Sequence, residues 1–133
     1  MRPKKKVLLY CQDEERLSRT AFVLWSKSYA VTTINSELSL FSLLMDWDGD
    51  CAVLIETDED DQCRTMAQAI RRERPSTKIG IVYQTGPRTV PKADSVLVGT
   101  DVNNFVGMVK DLCSRKPGPK KFTKIWNYDE VPG

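Results

Sequence analysis

Short apolar runs, separated by stretches in which apolar residues recur every three or four positions, organise this sequence. An uninterrupted run of ~4–8 residues rich in Val, Ile and Leu marks a strand buried on both faces. Five such strands are predicted: Val7–Cys11, Tyr29–Ile34, Cys51–Ile55, Ile79–Tyr83 and Ser95–Val98. After the first, Asp13, Glu14 and Glu15 suit the positive start of a helix carrying Leu17, Ala21, Leu24 and Trp25 on its apolar face. Ser36 can cap a second helix with Leu38, Phe41, Leu44 and Met45 as its apolar positions, closing at the turn-rich Asp46–Asp50. An acidic loop after the third strand leads into a helix with Cys63, Met66, Ala67 and Ile70 on one side, stopped by Pro75. Gly86–Lys92 holds two prolines and a glycine, so at most one helical turn is predicted there. Thr100 or Asp101 then caps a last helix with Phe105, Met108, Val109 and Leu112 at helical spacing.

Strand and helix alternate five times with the fourth helix shortened or absent, an order that implies parallel strands joined by right-handed crossovers. The expected class is α/β, a flavodoxin-like open five-stranded parallel sheet with helices on both faces. Residues 1–116 form this domain. The Lys-Pro-Gly-Pro-Lys-Lys stretch breaks regular structure, leaving 117–133 as a basic, aromatic tail.

Composition narrows the chemistry. Twenty basic and eighteen acidic residues give a formal charge of +2, no whole-molecule argument for nucleic acid or membrane binding. No apolar stretch approaches the ~20 residues of a membrane span, and the run after the basic start is too short for a signal-peptide core, so a cytoplasmic protein is expected. The chain has no histidine, which removes imidazole acid–base catalysis, His-activated nucleophiles and mixed Cys/His zinc sites. Cys11, Cys51, Cys63 and Cys113 are widely spaced, without a C-x-x-C pair, and read as buried free thiols.

The opening Lys-Lys-Val-Leu-Leu-Tyr followed by acids, the Ala-Val-Leu-Ile-Glu segment and the Ala-Asp-Ser-Val-Leu-Val segment resemble the first, third and fifth strands of response-regulator receivers. The resemblance spans roughly residues 4–114 and rests on strand order and hydrophobic pattern. It implies a site at the carboxyl ends of the strands. There the family has an acidic pair holding Mg²⁺, a phosphoaccepting aspartate, a hydroxyl residue and a lysine.

Carried onto this chain, the acidic pair becomes Gln12 and Asp13, matched through Leu17 of the following helix; counting from the strand alone would give Cys11 and Gln12. The phosphoacceptor position falls on Glu56, read either as a permanently charged partial mimic of an acyl phosphate or as a strand-end carboxylate in water. The hydroxyl position falls on Tyr83, expected to pack its ring at the sheet edge with its OH in solvent. Gly99 and Thr100 stand where the family has Lys-Pro, so the ammonium that pairs with phosphate is missing.

Asp13, Glu56 and Asp58 are candidate Mg²⁺ ligands, since hard cations take carboxylate oxygen; no other cofactor is indicated. In the tail, Lys120, Lys121, Phe122, Trp126 and Tyr128 interleave basic and aromatic residues. They are read as a solubilising flank, or as a segment that contacts nucleic acid, folds back or docks on a partner. The expected function is a phosphorylation-independent protein-interaction module of the two-component signalling type, not an enzyme, with a protein partner. An atypical phosphorylatable receiver using Asp13 and Asp58, and a small Mg²⁺-dependent enzyme at the acidic edge, stay open.

Overall fold

The computed structural model describes residues 4–56, 62–83, 93–99 and 101–114. Five strands, β1 (Lys6–Cys11), β2 (Ala30–Ile34), β3 (Cys51–Glu56), β4 (Lys78–Tyr83) and β5 (Ser95–Val98), form one parallel sheet in the order β2-β1-β3-β4-β5. Among the described residues four helices accompany them: α1 (Glu14–Ser26), α2 (Glu37–Leu44), α3 (Gln62–Glu73) and α4 (Val102–Ser114). This is the expected flavodoxin-like architecture. No helix separates β4 from β5 among the described residues, and the expected helix-poor segment 86–92 lies outside them, as do Asp58, Thr100 and the tail from 115 onward. No described helix is long and apolar enough to cross a membrane.

Side chains alternate across a strand, and here both faces are covered. Leu8, Tyr10, Ala52, Leu54, Ile79 and Ile81 pack with α2 and α3, whereas Val7, Leu9, Val53, Ile55 and Val82 pack with α1 and α4. The predicted apolar faces of α3 (Cys63, Met66, Ala67, Ile70) and α4 (Phe105, Met108, Val109, Leu112) are buried as expected. Two glycines let large side chains approach. A Cβ at Gly80 would lie 2.8 Å from Leu112 Cδ1 and 3.0 Å from Met108 Cε, so α4 sits close to the sheet. A Cβ at Gly49 would collide with the buried Trp47 ring.

Two helix faces depart from expectation. α2 buries Leu40 and Leu44, while Leu38 (76 % exposed), Phe41 and Met45 (81 %) face outward; on α1, Trp25 is 54 % exposed beside an exposed Phe22. The α2 sequence ELSLFSLL has apolar residues on every side, so periodicity does not single out its inner face. Trp25 shares a helical row with Phe22 three residues earlier, away from the Leu17, Ala21 and Leu24 stripe.

Helix ends are closed by specific partners. Asp13 caps α1, its Oδ1 accepting from Glu15 N (3.0 Å) and Arg16 N (3.4 Å), and Ser36 Oγ accepts from Ser39 N. At the far end of α1, Tyr29 N donates to Leu24 O and Ser28 N to Trp25 O, the paired bonds of a Schellman closure. That closure holds Ser28 at φ 73°, where glycine is the unstrained residue. α2 has no basic residue in its last turn, and Arg74, just past α3, supplies the donor: its Nη2 bonds Leu44 O (2.8 Å) and Met45 O (3.2 Å).

One long-range polar contact joins the sheet edge to α3. Asp94 Oδ2 accepts from Arg71 Nη2 (2.6 Å) and from Ile79 N (2.7 Å), while Asp94 N donates to Ile79 O (2.7 Å). Arg71 Nη1 reaches Pro75 O and Thr77 O from the same guanidinium.

Two stability outcomes follow from these contacts. Ser28→Gly relieves the left-handed strain and should raise the unfolding free energy by about 1 kcal/mol in denaturant titration. Asp94→Ala leaves the Ile79 N–H and the Arg71 guanidinium without this acceptor, and should lower it by about 2–4 kcal/mol in the same measurement.

Candidate functional site

Chemistry on an open parallel sheet gathers where strands end and helices begin. At the end of β1 the thiol of Cys11 is buried against the α1 and α4 side, and burial pushes it above the ordinary thiol range. The chain then turns outward through exposed Gln12 to Asp13. Asp13 follows β1 as the sequence predicts, but one of its oxygens is committed to the α1 cap.

Glu56 closes β3 and pairs in register with Tyr83, the last residue of β4. Here the structure corrects the expectation of solvated groups: Glu56 is 5 % and Tyr83 4 % exposed. Alternation along β3 places Glu56 on the face of Ala52 and Leu54, and Tyr83 belongs to that same core. On that side the Tyr10 hydroxyl donates to Gln62 Oε1 at 2.6 Å, tying β1 to the first turn of α3. Sequence reasoning missed this bond, because a strand tyrosine and a helix-start glutamine 52 residues apart leave no local signal.

Gly99 ends β5 at φ 113°, and its N–H donates to Tyr83 O at 2.8 Å. A Cβ there would meet nothing within 4 Å, so the position is restricted by its backbone and not by space. Any side chain, lysine included, would be strained in this conformation.

The other sheet face opens into a cleft of about 630 Å³ lined by Asp13, Arg16, Ile55, Val82, Gly99 and Phe105, among others. The structure thus brings Asp13 and Gly99 together and leaves Glu56 and Tyr83 on the opposite face. Arg16 gives the cleft a cationic edge, and its Nη1 is buried without a hydrogen-bond partner among the described residues. A Mg²⁺ site takes several hard oxygens in near-octahedral geometry. Among the described residues no group of three Asp, Glu, Cys or His side chains converges to hold an ion, and Asp13 and Glu56 do not form one together. Asp58, the third candidate ligand, lies outside the described residues.

No protein-family model and no curated protein matches the sequence. Solved structures do match in fold. A response regulator from Thermotoga maritima superposes with a TM-score of 0.74 at 16 % identity, covering 85 % of this chain and 100 % of that one. The response regulator TrrA of the same organism, solved in complex with Mg²⁺-BeF, gives 0.71 at 17 % over 81 % of this chain and 98 % of its own. TrrA in complex with the histidine kinase ThkA gives 0.71 at 19 % over 83 % and 99 %. The chain has the fold of response-regulator receivers over nearly their whole length.

Proposed function

We propose that this chain is a receiver-like signalling domain of the two-component type that works by binding another protein in the cytoplasm, without being phosphorylated and without catalysing a reaction. The observation that carries the reading is Gly99. The receiver chemistry sketched above needs an ammonium beside the phosphoryl group, and this chain has at that place a glycine whose left-handed backbone disfavours any side chain.

The other positions support the same reading. Glu56 is a buried carboxylate one methylene longer than aspartate, on the opposite face from Asp13, and Gln12 brings an amide in place of a metal-binding acid. Tyr83 is packed in the core, where a phenol has no freedom to follow an incoming phosphoryl group.

Binding needs a surface, and α1 and α2 offer one. They lie on opposite faces beside the edge strand β2 and expose Phe22, Trp25, Leu38, Phe41 and Met45, more large apolar side chains than a solvated helix face requires. The complex of TrrA with a histidine kinase shows that a domain of this fold can serve as a protein-binding partner. The tail residues Lys120, Lys121, Phe122, Trp126 and Tyr128 are a second contact segment in this proposal.

Incubation with phosphoramidate and millimolar Mg²⁺, read by intact mass, should leave the chain unmodified. A stoichiometric, Mg²⁺-dependent gain of one phosphoryl group would overturn the reading.

A further inference from the structure

All four cysteines are free and buried, and two of them meet. Cys51 opens β3 and Cys113 lies in the last turn of α4, 62 residues later, with their sulfurs 3.3 Å apart. They sit at the amino-terminal edge of the sheet, the end opposite the candidate site. We propose that Cys51 and Cys113 are a redox modification site that closes to an intramolecular disulfide when the protein meets a peroxide.

The geometry favours closure. A disulfide needs its sulfurs at ~2.05 Å with the two Cβ atoms within about 4.5 Å, and sulfurs already in contact can approach by side-chain rotation. α4 is held near the sheet by the missing side chain of Gly80, against which Leu112 and Met108 pack, and Cys113 follows Leu112 directly. The two thiols are also unequal. The hydrogen bond with Cys51 holds the Cys113 thiol below the ordinary thiol range, with Lys5 acting in the same direction against burial and Asp50. That bond, burial and Asp50 push Cys51 well above the range. Cys113 is also the less enclosed residue, at 7 % exposure against 0 % for Cys51, and it lies in a terminal helical turn, where local opening costs least.

The thiolate is the nucleophile, and Cys113, the less enclosed of the two residues, is the one that meets the peroxide. Its sulfur attacks one peroxide oxygen, the O–O bond breaks, and the products are a Cys113 sulfenic acid and hydroxide. The Cys51 sulfur then attacks the sulfenic sulfur; the S–O bond breaks and the S–S bond forms. The oxygen leaves as water, taking the Cys51 proton, and the proton first lost from Cys113 neutralises the hydroxide. Two thiols and one hydrogen peroxide become one disulfide and two waters, two electrons passing from sulfur to oxygen. The product ties the start of the central strand to the end of the last helix, immediately before the basic segment at Arg115 and Lys116.

The test uses the full chain. After hydrogen peroxide treatment, unreacted thiols are alkylated in denaturant and counted by intact mass, and the protein is digested after both basic and acidic residues so that Cys51 and Cys63 fall on separate peptides. The expected result is a loss of two of the four free thiols, one cross-linked Cys51–Cys113 peptide pair, and full recovery on reduction. In Cys51→Ser, the Cys113 sulfenic acid should persist and be trapped by dimedone. Four intact thiols, a linkage between any other pair, or singly oxidised cysteines alone would each overturn the proposal. None of these results bears on phosphorylation, so this inference and the functional reading stand or fall separately.

Discussion

Strand β3 has no solvent face, and the rest of the molecule is arranged around that constraint. From Cys51 to Glu56 every residue is buried, with β1 on one side, β4 on the other and helices above and below. A strand buried on both faces cannot carry polar side chains along its length without partners for them. Its alternating residues therefore divide the interior into two apolar cores, and chemistry is pushed to the strand ends. The carboxyl end carries Glu56, a carboxylate kept out of water; the amino end carries Cys51, a thiol kept out of water. The two candidate sites are thus the two ends of one strand.

This arrangement explains which parts could be read from the sequence. β1, β3 and β4 were legible as nearly unbroken apolar runs and β2 through its β-branched residues, and α3 and α4 were legible because each has a single apolar stripe between polar residues. The inner face of α2 was not, since nearly every position of ELSLFSLL could have faced the core. Trp47 was also hidden: it follows the helix among turn-forming residues, and only its fit over Gly49 reveals a core role. At the site, Glu56, Tyr83 and Gly99 could be matched from strand order, whereas Gln12 and Asp13 needed the register of Leu17 in the following helix. What could not be read was the face each side chain takes and how deeply it is buried, because both depend on neighbours far along the chain. Arg71 shows the same limit. In sequence it is one of several cations closing a helix, and in space it is the partner of Asp94, 23 residues away.

The β4–β5 edge gives Asp94 its importance. β5 has four residues and one neighbouring strand, so its ladder alone is a weak attachment. Asp94 adds bonds at the point where β5 begins, through its own N–H to β4 and through its carboxylate to β4 and α3 together. At the other end of the strand, Gly99 donates to Tyr83. β5 is fastened at both ends, by Asp94 well away from the candidate site and by the Gly99–Tyr83 bond within it.

Gly80 has a bearing wider than its packing role. The separation of α4 from the sheet is set by a residue with no side chain, and the distance between the Cys51 and Cys113 sulfurs is set by that separation. A related chain could therefore keep both cysteines, yet hold their sulfurs apart through one added methyl group at a position that touches neither of them. The meeting of the two thiols thus follows a steric gauge in the middle of a strand, and counting cysteines in an alignment would not detect it.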